Sequence, residues 1–338
     1  MTIFASFPAR PLHRPARRSA RSLAGVALGL ALALAACGSA HKSEASPSPQ
    51  SRSPAAEGAS SASPALWELK DADTTIYLFG TIHLLKPGTR WFDDEVKAAF
   101  DRSGELVLEI VEPDPQTMAG IVGKLAVNPD GPTVSSRLSP KDLERYRAAL
   151  KQYSLPPEAM DRLDPWMVAI TLSVAPLSKL GYDDNSGVEK VLTKAAREEG
   201  KPVSGLETVE QQLGYFDSLP EKAQITYLNA TVAELPGAKA EFERLIRNWA
   251  EGKPDALAAQ MNESMEATPE LAKALLFDRN ARWADWLARR MDRPGTLFVA
   301  VGAGHLAGKG SVIDRLSQRH FHIRRLSPGD FPPAPAAR

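Results

Sequence analysis

A central β-sheet flanked by helices, with a large helical insertion, is the fold the sequence predicts: an α/β class, with α+β as its variant. Three observations carry this. Apolar, β-rich runs lie towards both ends of the folded part, at residues 66–80, 105–111 and 295–302. Helical periodicity fills the middle, from about residue 139 to about 291. Two apolar runs end in the same signature, a glycine followed three residues later by a histidine: "LFGTIH" at 78–83 and "VGAGH" at 301–305. In open α/β sheets, sites form outside the carboxyl ends of strands, and both signatures begin there.

Residues 1–36 read as an export signal. Five arginines and no acid precede "SLAGVALGLALALAA", an apolar stretch of fifteen residues, too short for a span of about twenty. It ends at Leu34-Ala35-Ala36-Cys37, which resembles a bacterial lipobox and implies cleavage before Cys37 and lipid on that cysteine. Gly38 in place of an aspartate favours sorting to the outer membrane, facing the periplasm. Removing the signal takes the formal net charge from zero to −5. Residues 37–65 are Ser/Pro/Ala-rich, cannot bury a core and read as a flexible tether, with His41 in it.

The domain is expected over 66–328. "LWELK" and "TTIYLFG" flank the turn cluster "DADT" and predict a hairpin whose second strand ends at Gly80. A helix follows over 92–101, then a buried strand over 105–111 interrupted by Glu109. Ser139-Pro140-Lys141-Asp142 opens a helix to about Tyr153, and residues 164–181 predict a helix buried on most sides. "GVEKVLTKAAREEGK" is amphipathic, "PVSGLE" a short strand, and Thr208-x-x-Gln211 a capping box opening the next helix. Residues 221–251 are helical with a break at Pro236-Gly237. Thr268-Pro269-Glu270 caps a helix to about Met291. The strand "GTLFVAVG", a helix over 309–318 and the strand "HFHIRRL" close the domain, and 329–338 form a tail.

A glycine past a strand lets the chain turn sharply or approach a ligand closely. Two such turns on neighbouring strands would bring His83 and His305 to one sheet edge. Glu109 could add an oxygen, giving the two nitrogens and one carboxylate of a catalytic divalent metal site. Each residue has a plainer reading too. Either histidine could be a hydrogen-bonded loop residue, and Glu109 a strand-end carboxylate reaching solvent or an arginine. By pattern alone Arg279 is a solvated arginine and Asn280 an exposed helix residue, while Glu207 suits the dipole of the helix it precedes. His320 and His322 alternate on one face of the last strand, as surface residues. The balanced charge and lack of a basic aromatic stripe argue against nucleic acid. No Gly-x-Ser-x-Gly elbow, His-Glu-x-x-His helix or phosphate loop is present.

"LWELKDADTTIYLFGTIHLLKPG", "ELVLEI", "GYDDNSGVEKVL", "GKPVSGLETVEQQ", "FDRNARWADWL" and "FVAVGAGHLAGKGSVID", in that order, resemble the TraB/GumN family. That family groups with the TIKI metalloproteases and, more distantly, with erythromycin esterases and ChaN-type haem-binding lipoproteins. The resemblance implies a ChaN/erythromycin-esterase-like fold with its site at the sheet edge. It places the family motifs on Gly80 and His83, Gly302 and His305, Glu109, Arg279 with Asn280, and Glu207 with Gln211. Glu189 stands where many members have aspartate. The implied activity is a metal-dependent hydrolase (manganese, cobalt or zinc) acting on a peptide or small-molecule substrate. His83 and His305 would hold the metal with Glu109 as third ligand or general base, Glu207 being the other acid that could complete the site; Arg279 would stabilise the oxyanion, and Asn280 would orient a ligand or carbonyl. The alternative is a haem- or peptide-binding lipoprotein without turnover.

Overall fold

The computed structural model describes residues 61–265, 269–327 and 329–331. The expected signal, Cys37, most of the tether including His41, Thr268 and residues 332–338 lie outside the described residues. Six strands form one mixed sheet in the order β4-β3-β5-β2-β1-β6. β1 (Leu66–Lys70) and β2 (Thr74–Thr81) make the expected hairpin. The Asp71 carboxylate closes its turn by accepting from the Asp73 and Thr74 amides, an Asx turn. β5 (Gly295–Gly302) inserts beside β2 and runs parallel to it, with Thr81 opposite Gly302. β3 (Glu105–Leu108) lies parallel on the other side of β5, and β4 (Val203–Gly205) is parallel to β3. β6 (Ile323–Arg325) is antiparallel to β1.

Two strand ends fall short of expectation. β3 stops at Leu108, so Glu109 sits just past the strand. The main chain still runs beside its neighbour, because the Leu206 and Glu207 amides donate to the Leu108 and Glu109 carbonyls. β6 begins at Ile323, so His320 and His322 precede it, both exposed, with His320 at φ 66°.

The period of two along a strand sorts side chains onto two faces. Tyr77, Phe79, Phe298 and Ala300 face one apolar cluster, with helices α1 (Asp94–Arg102), α7 (Val188–Glu198) and α10 (Ala238–Ala250) packed on it. Ile76, Leu78, Leu297 and Val299 face another, under α13 (Asp278–Arg290) and α14 (Val312–Ser317). The helical insertion builds a third core. It comprises α2 (Pro115–Leu125), α3 (Val134–Arg137), α4 (Pro140–Tyr153), α5 (Pro157–Met160), α6 (Pro165–Lys179), α8 (Val209–Asp217) and α9 (Glu221–Glu234). The apolar helix α6 is buried on most sides, and Trp166 stacks on Phe216 at 5.5 Å. Ser139 and Thr208 cap their helices as read, the latter in a full capping box. A 3₁₀ turn at Leu235–Gly237 breaks the helical run where Pro236-Gly237 stands. Helix α11 (Pro254–Met265) follows α10. Helix α12 (Pro269–Ala272) widens into a π turn over Lys273–Phe277 before α13.

Candidate active site

The two Gly-x-x-His units emerge side by side, because β2 and β5 are neighbours with their ends in register. After Gly80, whose carbonyl accepts from the Trp249 indole at 2.8 Å, the chain turns out of the sheet. The start of α7 docks on that turn. The Val188 amide donates to the Ile82 carbonyl, and Leu85 and Asp183 exchange main-chain bonds. Gly187 allows the approach: a Cβ there would lie 2.0 Å from the His83 carbonyl oxygen. The docking brings Glu189, in the first turn of α7, to His83, with Nδ1 and Oε1 2.7 Å apart. The Glu189 carboxylate thus lies against the imidazole.

On β5, Gly302 serves in another way. Its amide donates to Glu109 Oε1 at 2.6 Å, and a Cβ would sit 3.0 Å from that same oxygen. Only glycine lets the carboxylate settle onto this amide without displacement. His305 follows in a 3₁₀ turn and is buried, its ring 4.4 Å from that of Trp283. Its Nδ1 lies 2.6 Å from Asn280 Oδ1, while Asn280 Nδ2 donates to the Gly310 carbonyl at 2.9 Å. Asn280 Oδ1 can only accept, so the proton is on Nδ1 and Nε2 carries the lone pair.

Arg279, one turn before Trp283 on α13, is completely buried between two acids. Its Nη2 donates to Glu109 Oε2 at 2.7 Å and reaches Glu207 Oε2 at 2.8 Å, and Nε donates to Glu207 Oε2 at 2.9 Å. Nη1 donates to the Leu275 carbonyl at 3.2 Å and meets His305 Nε2 at 3.3 Å. The guanidinium thus donates to Glu109, Glu207 and the Leu275 carbonyl, meets His305, and keeps its remaining Nη2 proton in ion-pair contact with Glu207. Glu207 also accepts from Tyr215 and the Trp283 indole, at 3.1 and 3.2 Å. Gln212 bridges the two acids, donating to Glu109 at 3.0 Å and Glu207 at 3.3 Å. A buried charge is tolerated only when paired and hydrogen-bonded, and this network meets that condition.

The electrostatics follow. Burial alone would raise the Glu109 pKa, but the charges of Arg279 and the histidines, with the Gly302 amide, hold it down to about 2. Burial, with Arg279 beside it, drives His305 down to about 3 despite the pull of Glu109. At neutral pH the site therefore holds a carboxylate beside a neutral imidazole, and Arg279 is the cation that steadies Glu109.

Glu109, His83, Glu189 and Gln212 share the wall of one open cavity of about 680 Å³. His83 and His305 share the wall of a second, smaller one. The expected site residues of the domain thus gather at the carboxyl edge of β2, β3, β4 and β5, with three corrections of detail. The pattern readings of a solvated Arg279 and an exposed Asn280 are overturned, since both are buried. Arg279 spends its donors on protein groups, so it positions Glu109 and His305 and does not face a developing oxyanion. Gln211 serves the capping box, whereas its neighbour Gln212 faces the acids. Sequence reasoning missed Gln212, Tyr215 and Trp283; the i, i+3 spacing of Gln212 and Tyr215, and the i, i+4 spacing of Arg279 and Trp283, were the available signals.

The donor set bears on a metal. Among the described residues, no group of three or more His, Cys, Asp or Glu side chains is closed around one point. Two donors do suit a divalent cation. His305 Nε2 lies 3.8 Å from the ionised Glu109 Oε1 with its tautomer fixed at the other ring nitrogen, but its lone pair faces Arg279 Nη1 at 3.3 Å, so a cation would take that lone pair only by displacing the arginine contact.

Comparison with known proteins agrees with this geometry. An uncharacterised protein of Treponema pallidum (strain Nichols) is 26% identical over 274 residues, covering 75% of this chain and 80% of its own length. The uncharacterised YbaP of Escherichia coli (strain K12) is 27% identical over 183 residues, 54% of this chain and 67% of its own. The metalloprotease TIKI1 of Danio rerio is 23% identical over 316 residues, 78% of this chain and 63% of its own. No solved structure matches. The TraB/PrgY/gumN family pattern matches residues 65–325, from the first strand of the sheet to the last, and the chain belongs to that family.

Proposed function

We propose that the chain is a metal-dependent, peptidase-like hydrolase of the bacterial cell envelope, bringing water onto a peptide or ester carbonyl. The observation that carries the reading is the buried pair of Glu109 and neutral His305, held rigid by Arg279 and Asn280 at the wall of an open cavity. Similarity to a metalloprotease favours peptides over esters. The lipobox-like sequence at Cys37 supports a lipid anchor in the outer membrane, with the site facing the periplasm.

His305 and Glu109 would hold a divalent ion, with His83 drawn in from the cavity it shares with Glu109. Bound there, such an ion supplies Lewis acidity and hydroxide near neutral pH. The protein supplies the rest. Glu109 lends the site a fixed negative charge, because Arg279 and the Gly302 amide keep it ionised and in place. His83, with Glu189 2.7 Å from its Nδ1, lines the same cavity as Glu109. Arg279 keeps Glu109 and His305 in place as charge redistributes.

The test uses the full chain loaded with Mn²⁺, Co²⁺ or Zn²⁺ against peptide and ester libraries. Turnover should appear with one of these ions, vanish with a chelator, and fall by about 10²-fold or more in His305→Ala and Glu109→Gln. A Soret band on haem titration without any turnover would establish the binding alternative and end the hydrolytic one.

A further inference from the structure

Between the two Gly-x-x-His turns lies a small cavity, about 20 Å³, that the reaction described above does not use. Its rim carries both His83 and His305. Its body is apolar, built from Phe242, Leu245, Leu257 and Met261 of α10 and α11. One side chain breaks that character. Thr81 lines the cavity, is 2% exposed, and its Oγ1 has no hydrogen-bond partner among the described residues. Alternation along β2 aims it there: Tyr77 and Phe79 join the apolar cluster of Phe242 and Leu257, and Thr81 is the next residue on that face.

A buried hydroxyl without a partner is rare and calls for an explanation. A single water would fit the volume but needs two to four polar partners, and these walls offer few. A peptide residue offers an apolar side chain together with a main-chain donor and acceptor, but it needs more room than the cavity holds at rest. The room must come from an adjustable wall. Met261 folds over Gly304, where an added Cβ would lie 2.1 Å from its Cε, and an unbranched thioether can swing aside.

We propose that this cavity is the specificity pocket, taking one aliphatic side chain of a peptide substrate beside the reacting bond while Thr81 Oγ1 hydrogen-bonds that residue's main chain. The inference rests on the hydrolase reading for its substrate, but the pocket can be tested without turnover. The probes are fluorescein-labelled octapeptides of Gly and Ser bearing one Leu, Val, Phe, Asp or Lys at each position in turn. Binding is read by anisotropy in chelator, and turnover in Mn²⁺.

The Leu and Val peptides should bind at least about tenfold more tightly than the Asp and Lys peptides, a ratio within reach of one buried aliphatic side chain. Leu257→Trp, which fills the pocket, should erase that preference. Met261→Ala, which widens it, should shift the preference towards Phe and serves if the tryptophan variant does not fold. Thr81→Val should weaken all aliphatic peptides while raising the melting temperature, because it removes an unmatched hydroxyl. A threonine with a merely structural bond would instead lower that temperature. Failure of every peptide to bind, or a preference unmoved in both pocket variants, overturns the pocket. Turnover without side-chain preference overturns the pocket and leaves the hydrolase; preferential binding without turnover does the reverse.

Discussion

At the scale of single residues, Arg279 decides whether the site holds its shape. Among the described residues it is the one cation touching both buried acids, Glu109 and Glu207. Replacing it with methionine keeps much of the volume but leaves two carboxylates facing each other in the interior. Breaking a buried pair in this way costs about 3–5 kcal/mol. Arg279→Met should therefore lower the urea midpoint strongly, and Arg279→Met with Glu109→Gln should recover part of the loss; an unchanged midpoint in the single variant would remove the network from the account. Little of this was legible beforehand. An arginine in mid-helix beside Asp278 looks solvated, because its partners lie 72 and 170 residues away along the chain. Glu109 was legible for the opposite reason: a carboxylate closing an apolar run is costly enough to draw notice. His83 and His305 stood out by their glycines, and only the sheet register shows that the two turns adjoin.

At the scale of elements, local chemistry marked most boundaries. The capping serine of α4, the capping box of α8 and the Pro-Gly break before α10 could each be read within four residues of sequence. The π turn before α13 could not, since nothing in "KALLF" marks it. The junction of α9 and α10 carries a cost of its own. Burial, with the charge of Glu241 nearby, pushes the Glu234 carboxyl up to about 8, and its Oε2 has no hydrogen-bond partner among the described residues. The folded pKa lies above the ordinary 4.5, so this carboxyl's contribution to stability is complete below that value and disappears as pH rises through about 8. Glu234→Gln should thus be nearly neutral in urea melts at about pH 5 and stabilising at about pH 9. Equal effects at both would show that the group is solvated.

At the scale of the whole molecule, three apolar cores meet around one polar knot. Glu207 and Gln212 come from the side of the insertion, Arg279 from the helix over one sheet face, and Glu109 from the sheet itself. That coupling predicts one cooperative transition. Unfolding followed by tryptophan fluorescence and by far-ultraviolet circular dichroism should coincide, and separate midpoints would make the insertion an independent unit. The class of fold was legible, because strands at both ends and helices between them leave few arrangements. The strand order was not. Pairing of β5 between β2 and β3 is decided by which apolar faces fit, and sequence spacing carries no record of that choice.

One consequence of that arrangement reaches back to synthesis. β5, which leads into the second histidine, is made long after β2 and β3, yet it lies between them in the sheet. Until it arrives, β2 and β3 cannot be joined, Glu109 has no Gly302 amide to rest on, and the imidazole pair does not exist. Closing so long a loop is slow. A nascent chain that has not yet delivered β5 is therefore without the site, and whatever chemistry the finished site performs is withheld until that strand has docked.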